Sequence, residues 1–331
     1  MNRLLLVVFA CGLSAQALCS SLDPDPAKLR LMSANALVFD AAAQRPVYAK
    51  AADEVTPIAS LTKLMTAMVM LDAAQPDDEL IAIQNEDFDF LKGSRSRLRM
   101  GTMLPRRELL RLALMSSENR AASALARHYP GGTPMFVAAM NAKAAALQMT
   151  RTHYADPTGL SADNVSTAND LARLVQAAAT YPLIREFSTT PAHFVELQPT
   201  GRWLTFNNSN ALVKSQAWDI QLQKTGYIRE AGRCLVMLTT IATRPFVIVL
   251  LDSNGKYTRL GDAQRVKHWL ETGEAMAPIS SGGLQRYHGS FPPRQRQTVR
   301  ITFSPHAAQG GVYAVKLTQA KRPTKPSKHR V

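Results

Sequence analysis

"TPIASLTKLMTAMVM", residues 56–70, decides how this chain is read. From Leu61 to Leu71 apolar residues fall on nearly every face of a 3.6-residue repeat, so the spacing predicts a helix buried all round rather than a surface amphipath. Burying a lysine in such a helix is costly unless its charge is neutralised or used. Lys63 follows Ser60 by three residues, which puts both side chains on one face, about 5 to 6 Å apart at Cβ. Dehydration lowers a lysine pKa because the charged form loses its hydration, and a neutral amine can take a serine proton. The helix start adds unsatisfied N–H groups and positive potential, which suit an oxyanion forming at a carbonyl under attack. Ser60 therefore reads as a nucleophile and Lys63 as its general base.

S-x-x-K alone is a weak signal. "SNGK" at 253–256 also fits and reads as a turn, and "SAN" at 33–35 duplicates "SEN" at 117–119. The strength lies in the order "SLTK" (60–63), "SEN" (117–119) and the single "KTG" (224–226), at a helix start, a helix junction and a strand. An ammonium and a hydroxyl on one strand, Lys224 and Thr225, make a carboxylate clamp, and Gly226 lets a substrate lie against that strand edge. Glu118 reads as a helix-start carboxylate rather than an acid catalyst.

At 331 residues and 46% hydrophobic composition the chain can bury a substantial core. Asn2 and Arg3, the apolar run Leu4 to Leu13, and small residues at Ser14, Ala15 and Ala17 read as a secretory signal peptide, residues 1–19, cut after Ala17 or Cys19. The expected location is the periplasm. No later run is long enough for a transmembrane helix. Two of three cysteines lie in or beside the signal, leaving Cys234 in an apolar strand as an inert core thiol. The histidines lack metal-ligand spacing, and neither a Walker sequence nor G-x-G-x-x-G occurs, so no metal and no cofactor are expected.

The formal charge of +14 is unevenly placed, since ten of the 39 Lys and Arg and no Asp or Glu fall from Ala275 onward. Residues 275–331 read as a basic, partly disordered tail rich in Pro, Gly and Ser. The sharper expectation for it is a tether to an anionic wall or membrane surface; nucleic acid is not expected as a partner of an exported chain.

Between these ends, "ALVFDAAAQRPVYAKA" (36–51) reads as a β-hairpin. "RRELLRLALMSSEN" and "ENRAASALARHYPGG" read as two helices meeting at Ser116 to Asn119, the second closed by Gly131. Thr133 and Pro134 should cap the next helix at its N-cap and first position, and Thr167 with Asp170 should open another in a box-like manner. "DIQLQKTGYI", "CLVMLTTIA" and "PFVIVLLDS" should form adjacent antiparallel strands, followed by a helix over 257–273 that packs Leu260, Ala263, Val266 and Leu270 on the sheet until Gly273 ends it. The expected class is α+β, an antiparallel sheet flanked by helices with a helical subdomain, and the first hairpin free to join the last strands.

"IASLTKLMTAMV", "LALMSSENRAA", "DPTGLSADNVSTANDL", "YPLIREFSTT" and "WDIQLQKTGYIREAGRCLVM" together resemble the low-molecular-mass penicillin-binding proteins of the D-alanyl-D-alanine carboxypeptidase family, and within it the endopeptidase branch most of all. The resemblance covers residues 27–273 as a D,D-peptidase catalytic domain and implies the serine β-lactamase-like transpeptidase fold. It implies peptidoglycan stem peptides and crosslinks as substrates and β-lactams as covalent inhibitors. By the same resemblance Ser60 is acylated, Lys63 is its base and Ser117 passes the proton to the leaving amine. Asn119 holds the acyl part, Lys224 and Thr225 bind the leaving residue's carboxylate, and the N–H groups of Ser60 and Tyr227 form the oxyanion hole. The stretch "TGLSADNVSTANDL" has no glutamate to position a deacylating water, which argues against a fast β-lactamase. Trimming of terminal D-alanine stays open beside crosslink hydrolysis, because both release a D-centre with a free carboxylate.

Overall fold

The computed structural model describes residues 23–276. The signal segment and nearly all of the basic tail therefore lie outside the described residues. The chain enters as β1 (Asn35–Asp40), β2 (Arg45–Lys50) and β3 (Thr56–Pro57), turns through one 3-10 turn at Ala59–Thr62, and continues into α1 (Lys63–Asp72). A helical middle follows, with β4 (Leu80–Ala82), β5 (Met103–Pro105), α2 (Arg106–Met115), α3 (Asn119–Arg127), α4 (Gly132–Ala146), β6 (Val165–Ser166), α5 (Ala168–Ala178) and α6 (Pro182–Thr189). After the hairpin β7 (Ala192–Leu197) and β8 (Arg202–Asn207) come β9 (Asp219–Ile228), β10 (Gly232–Ile241), β11 (Arg244–Ser253) and α7 (Thr258–Thr272).

The first hairpin joins the last three strands in one antiparallel sheet of order β2-β1-β11-β10-β9, as the sequence leads one to expect. Its central strands are apolar at almost every position because both faces are covered. Side chains alternate between faces with period two, so Leu37, Val236, Val247, Val249 and Leu251 pack with the helical middle. Ala36, Val38, Leu235, Met237, Ile248 and Leu250 pack beneath Ala263, Val266 and Trp269 of α7. Trp269, fully buried and donating from its indole to the Asp25 carbonyl at 3.0 Å, is the largest side chain of that second core and escaped the sequence reading. Gly273 ends α7 in the left-handed region at φ 74°.

Every residue of α1 from Lys63 to Met70 is buried, and the helix touches α2, α3, α4, α5 and α6. Thr167 caps α5 by accepting from the Asp170 N–H at 3.1 Å. The reciprocal half of a box does not form, because the Asp170 carboxylate accepts instead from Arg151, Thr152 and Arg173.

Two local readings are corrected. Helix α3 ends at Arg127, capped at His128, so Gly131 does not close it. Gly131 is the left-handed N-cap residue of α4, which begins at Gly132; Thr133 and Pro134 lie inside its first turn. A Cβ at Gly131 would lie 2.4 Å from the Met135 side chain one turn on, and the left-handed φ of 81° likewise favours glycine as the cap. The decoy motifs are structural. Ser33 and Ser253 bring their hydroxyls to 2.7 Å of each other, and the buried Asp262 carboxylate accepts from the Ser33 hydroxyl and N–H at 2.7 Å each. Cys234 is fully buried, and burial pushes its thiol up to about 12, as an inert core cysteine requires.

Candidate active site

The 3-10 turn Ala59–Thr62 delivers Ser60 at the mouth of α1, and its tight pitch eclipses residues three apart, so Ser60 stands over Lys63. The position of the turn is set by close packing of backbone on both sides. A Cβ on Gly226 of β9 would sit 3.0 Å from Ala59 Cβ and 3.1 Å from the Ser60 nitrogen. One on Gly159 would sit 2.0 Å from the Ala59 carbonyl oxygen. Two glycines from distant parts of the chain thus clamp the residue before Ser60, and a third contact is the Ile58 N–H donating to the Asn164 carbonyl at 3.0 Å.

Lys63 is fully buried, and its Nζ reaches three oxygens: Ser60 Oγ at 2.9 Å, Asn119 Oδ1 at 2.7 Å and the Thr158 carbonyl at 2.6 Å. Burial lowers its pKa to about 7, against the opposing pull of the Asp156, Glu118 and Asp89 carboxylates. A neutral amine has two N–H groups and one lone pair. The Asn119 and Thr158 oxygens can only accept, so they take the two N–H groups, and Ser60 is the one partner able to donate to the lone pair. The geometry selects the proton acceptor that a serine nucleophile needs.

The surrounding loops hold this cluster. Asn119 at the start of α3 donates to Ser94 Oγ at 2.9 Å. Glu118 is not a simple helix-start carboxylate: it is almost fully buried and accepts from the Ser96 hydroxyl at 2.8 Å, tying the 94–97 loop to the α2–α3 junction. Burial raises its pKa. Asp156 accepts from the N–H groups of Thr158, Gly159 and Ser161 at 2.5 to 2.8 Å, which folds the loop that presents the Thr158 carbonyl. Fully buried Asn164 accepts from Ala155 and Asp156 and donates to Thr62 Oγ1 at 3.0 Å, fastening that loop to the serine turn.

Ser117 lies half-buried at φ +62°, a left-handed conformation that is strained for a serine and that turns the chain sharply between α2 and α3. Among the described residues its hydroxyl is not hydrogen-bonded to Lys63 or Lys224. Lys224 is fully buried on β9 with its Nζ donating to the Thr225 carbonyl at 3.0 Å, and burial, with Lys63 and Arg259 nearby, holds its pKa well below the ordinary value. The Thr225 hydroxyl donates to Ser209 at 2.7 Å, and Arg259 from α7 donates to the Gly226 carbonyl at 3.0 Å. Tyr227 is 57% exposed, with the Arg233 guanidinium over its ring.

A cleft of about 570 Å³ opens over these groups, lined by Ser60, Asn119, Tyr227 and Leu160, with Leu91 to Ser94 on one wall and Ile228 to Glu230 on the other. Of the sequence-selected residues Ser60, Asn119 and Tyr227 line it; Lys63 is hydrogen-bonded to the first two and Gly226 packs against the serine turn, whereas Lys224, Thr225 and Ser117 are not among the lining residues. Sequence reasoning gave no role to Thr158, Gly159, Asn164 or Arg259. For the first three the signal was present in "DPTGLSADN", whose density of turn residues marks a tight loop. Arg259 carries no local signal, since it reaches the site from the final helix.

Comparison with known proteins agrees with this geometry. The chain is 50% identical over 281 residues to the D-alanyl-D-alanine endopeptidase of Pseudomonas aeruginosa, an alignment spanning 83% of this chain and 91% of that one. It is 44% identical over 281 residues to the Escherichia coli protein of the same name, spanning 85% and 89% of the two chains. The crystal structure of the Streptomyces K15 DD-transpeptidase superposes with a TM-score of 0.68 at 27% identity, covering 73% of this chain and 98% of that one. Residues 23–255 match the D-alanyl-D-alanine carboxypeptidase family, peptidase S11, across the stretch that carries the sheet, the serine turn and the KTG strand, and the chain belongs to that family.

Proposed function

We propose that the chain is a serine D,D-endopeptidase that hydrolyses D-alanyl to meso-diaminopimelyl crosslinks of peptidoglycan through an acyl-enzyme, and that penicillin inhibits it by forming the same ester. The observation that carries the reading is the hydrogen-bonded trio of Ser60, Lys63 and Asn119 at the floor of the cleft. The preference for crosslinks is supported by the endopeptidase relatives at 50% and 44% identity.

In this reading neutral Lys63 takes the Ser60 proton as Oγ attacks the D-alanyl carbonyl. The oxyanion that forms is met by the N–H groups of Ser60 and Tyr227, a role supported by the close approach of Gly226 on β9 to the serine turn. Collapse breaks the amide bond, and the leaving amine takes a proton passed through Ser117. Lys224 and Thr225 hold the carboxylate of the leaving D-centre, and Asn119 holds the acyl stem. Water then attacks the ester, losing its proton to Lys63, and Ser60 is restored.

The test is liquid chromatography with mass detection after incubation with a D,D-crosslinked dimer and with an uncrosslinked pentapeptide muropeptide. The expected result is conversion of the dimer to monomers, abolished in Ser60→Ala. Loss of only the terminal D-alanine from the pentapeptide would keep the chemistry and replace the endopeptidase by a carboxypeptidase.

The ends of the chain extend the proposal. The N-terminal apolar segment directs export to the periplasm, where the substrate lies, and the basic tail holds the enzyme on an anionic wall or membrane surface. Truncation after Glu274 is expected to leave activity on soluble muropeptides intact. Retention on intact sacculi should weaken, and the difference should shrink as salt screens the charges. Equal, salt-independent retention by the truncated chain would remove the tether.

A further inference from the structure

Two loops meet in an ion pair at the cleft that Ser60 lines. Lys92, on the loop between β4 and β5, and Glu230, in the β9–β10 turn, face each other across the cleft with Nζ and Oε1 2.7 Å apart. The loop carrying Lys92 is prebuilt: the Asp89 carboxylate accepts from the N–H groups of Leu91, Lys92 and Ser94 at 2.8 to 2.9 Å. Ser94 in turn accepts from Asn119, so the position of Lys92 is tied to the catalytic floor. Glu230 lies three residues after Tyr227, just beyond the end of β9. The pair is half-exposed, with side-chain exposures of 31% and 40%. An ion pair that open to water contributes at most about 1 kcal/mol, so it is no lock and can be exchanged for other partners.

Position along β9 says which part of a substrate it meets. Gly226 abuts the serine turn; Lys224 and Thr225 precede it and Ile228 to Glu230 follow it, so along the chain the two groups fall on opposite sides of that contact. With the leaving-side carboxylate assigned to Lys224 and Thr225, Lys92 and Glu230 face the acyl stem. A lone ammonium or a lone carboxylate entering there would satisfy one member and strand the other. A group carrying both on one carbon exchanges for the whole pair at no change in net charge, its carboxylate to Lys92 and its ammonium to Glu230.

The geometry points to Lys92 and Glu230 as a specificity subsite for the zwitterionic end, –CH(NH3+)COO−, of the diamino acid in the acyl stem. This deepens the D,D-peptidase reading and rests on it for the direction of the substrate. It also assigns a reason for the ion pair: it keeps two charges mutually satisfied in the empty cleft and presents them as a matched set when a stem arrives.

The test uses two penicillins that differ in side chain alone, one with a six-carbon chain ending in a D-α-amino acid and one with the phenylacetyl group of benzylpenicillin. The measured quantity is the ratio of their second-order acylation rates, which cancels any loss of folded enzyme. The expected ratio for the natural chain is about tenfold in favour of the zwitterionic side chain, the scale of one or two added charge-assisted hydrogen bonds at a solvated rim. In Lys92→Met and in Glu230→Gln the ratio should fall towards one. A ratio near one in the natural chain, or one that both variants leave unchanged, overturns the subsite. So does a rise of both rates together in the variants, which is what a mere latch over the cleft would give. Because the readout is a penicillin ratio, it survives failure of the endopeptidase reading: a chain that trims only pentapeptides yet keeps the tenfold preference retains the subsite.

Discussion

Lys63→Ala is expected to lower the rate of acylation by penicillin about 10³-fold, within the range that general bases contribute, while reversible binding of the drug persists. The expectation follows from burial and partner count. Among the described residues the Lys63 amine is the hydrogen-bond partner of the Ser60 hydroxyl, at 2.9 Å, and burial brings its pKa to about 7. The same cause fixes the pH dependence of the natural chain. The active form is the neutral amine, so the rate should rise with pH to a plateau with a midpoint at about 7. Well below that midpoint it should fall tenfold per pH unit, because the ammonium has no lone pair to receive the Ser60 proton. Stopped-flow acylation with a chromogenic β-lactam between pH 5 and pH 9 measures both. Undiminished acylation by the alanine variant would take the base role from Lys63, and a flat profile would show that the neutral amine is not what limits the reaction.

Gly159→Ala should also be damaging, though Gly159 carries no reacting group. Its φ of +80° is strained for any side chain, and its new Cβ would lie 2.0 Å from the Ala59 carbonyl oxygen and 2.9 Å from the Ser60 nitrogen. Either the Asp156–Asn164 loop or the serine turn must give way. Displacing a nucleophile by about 1 Å costs roughly 10²-fold in rate. The strain itself should lower stability by about 2 kcal/mol, seen as a fall in melting temperature of about 4 to 8 °C. A variant with a native circular dichroism spectrum and natural acylation rates would show that the loop yields and the turn does not. The contrast with Lys63→Ala is diagnostic, because the glycine variant should keep the pH midpoint and lose amplitude alone.

Much of this site was legible in the chain because its chemistry is local. A serine and a lysine three residues apart on an all-apolar helix announce each other, and the covalent spacing fixes their approach whatever the rest of the fold does. The hairpin, the three final strands and the closing helix were legible for the same reason: period-two and 3.6-residue patterns are properties of consecutive residues. Even the buried cysteine followed from the apolar run around it.

What the sequence could not show is what depends on contacts between distant segments. Glu118 reads as a helix-start carboxylate and stands at the start of α3, but only the packed structure shows its burial and its bond to Ser96, which tie two loops together. Arg259 and Gly159 have no catalytic signature of their own; they matter because the sheet and the Asp156–Asn164 loop bring them to Gly226 and Ala59. The sequence by itself singled out Ser60 and Lys63 as the candidate pair, and determined the order of the motifs and the α+β class. The tertiary structure alone decided which lone pair faces Ser60, which backbone clamps it, and that Lys92 and Glu230 meet across the cleft. The division has one physical cause: bond geometry and periodicity act over a few residues, whereas burial and close approach are settled when segments far apart in the chain pack together.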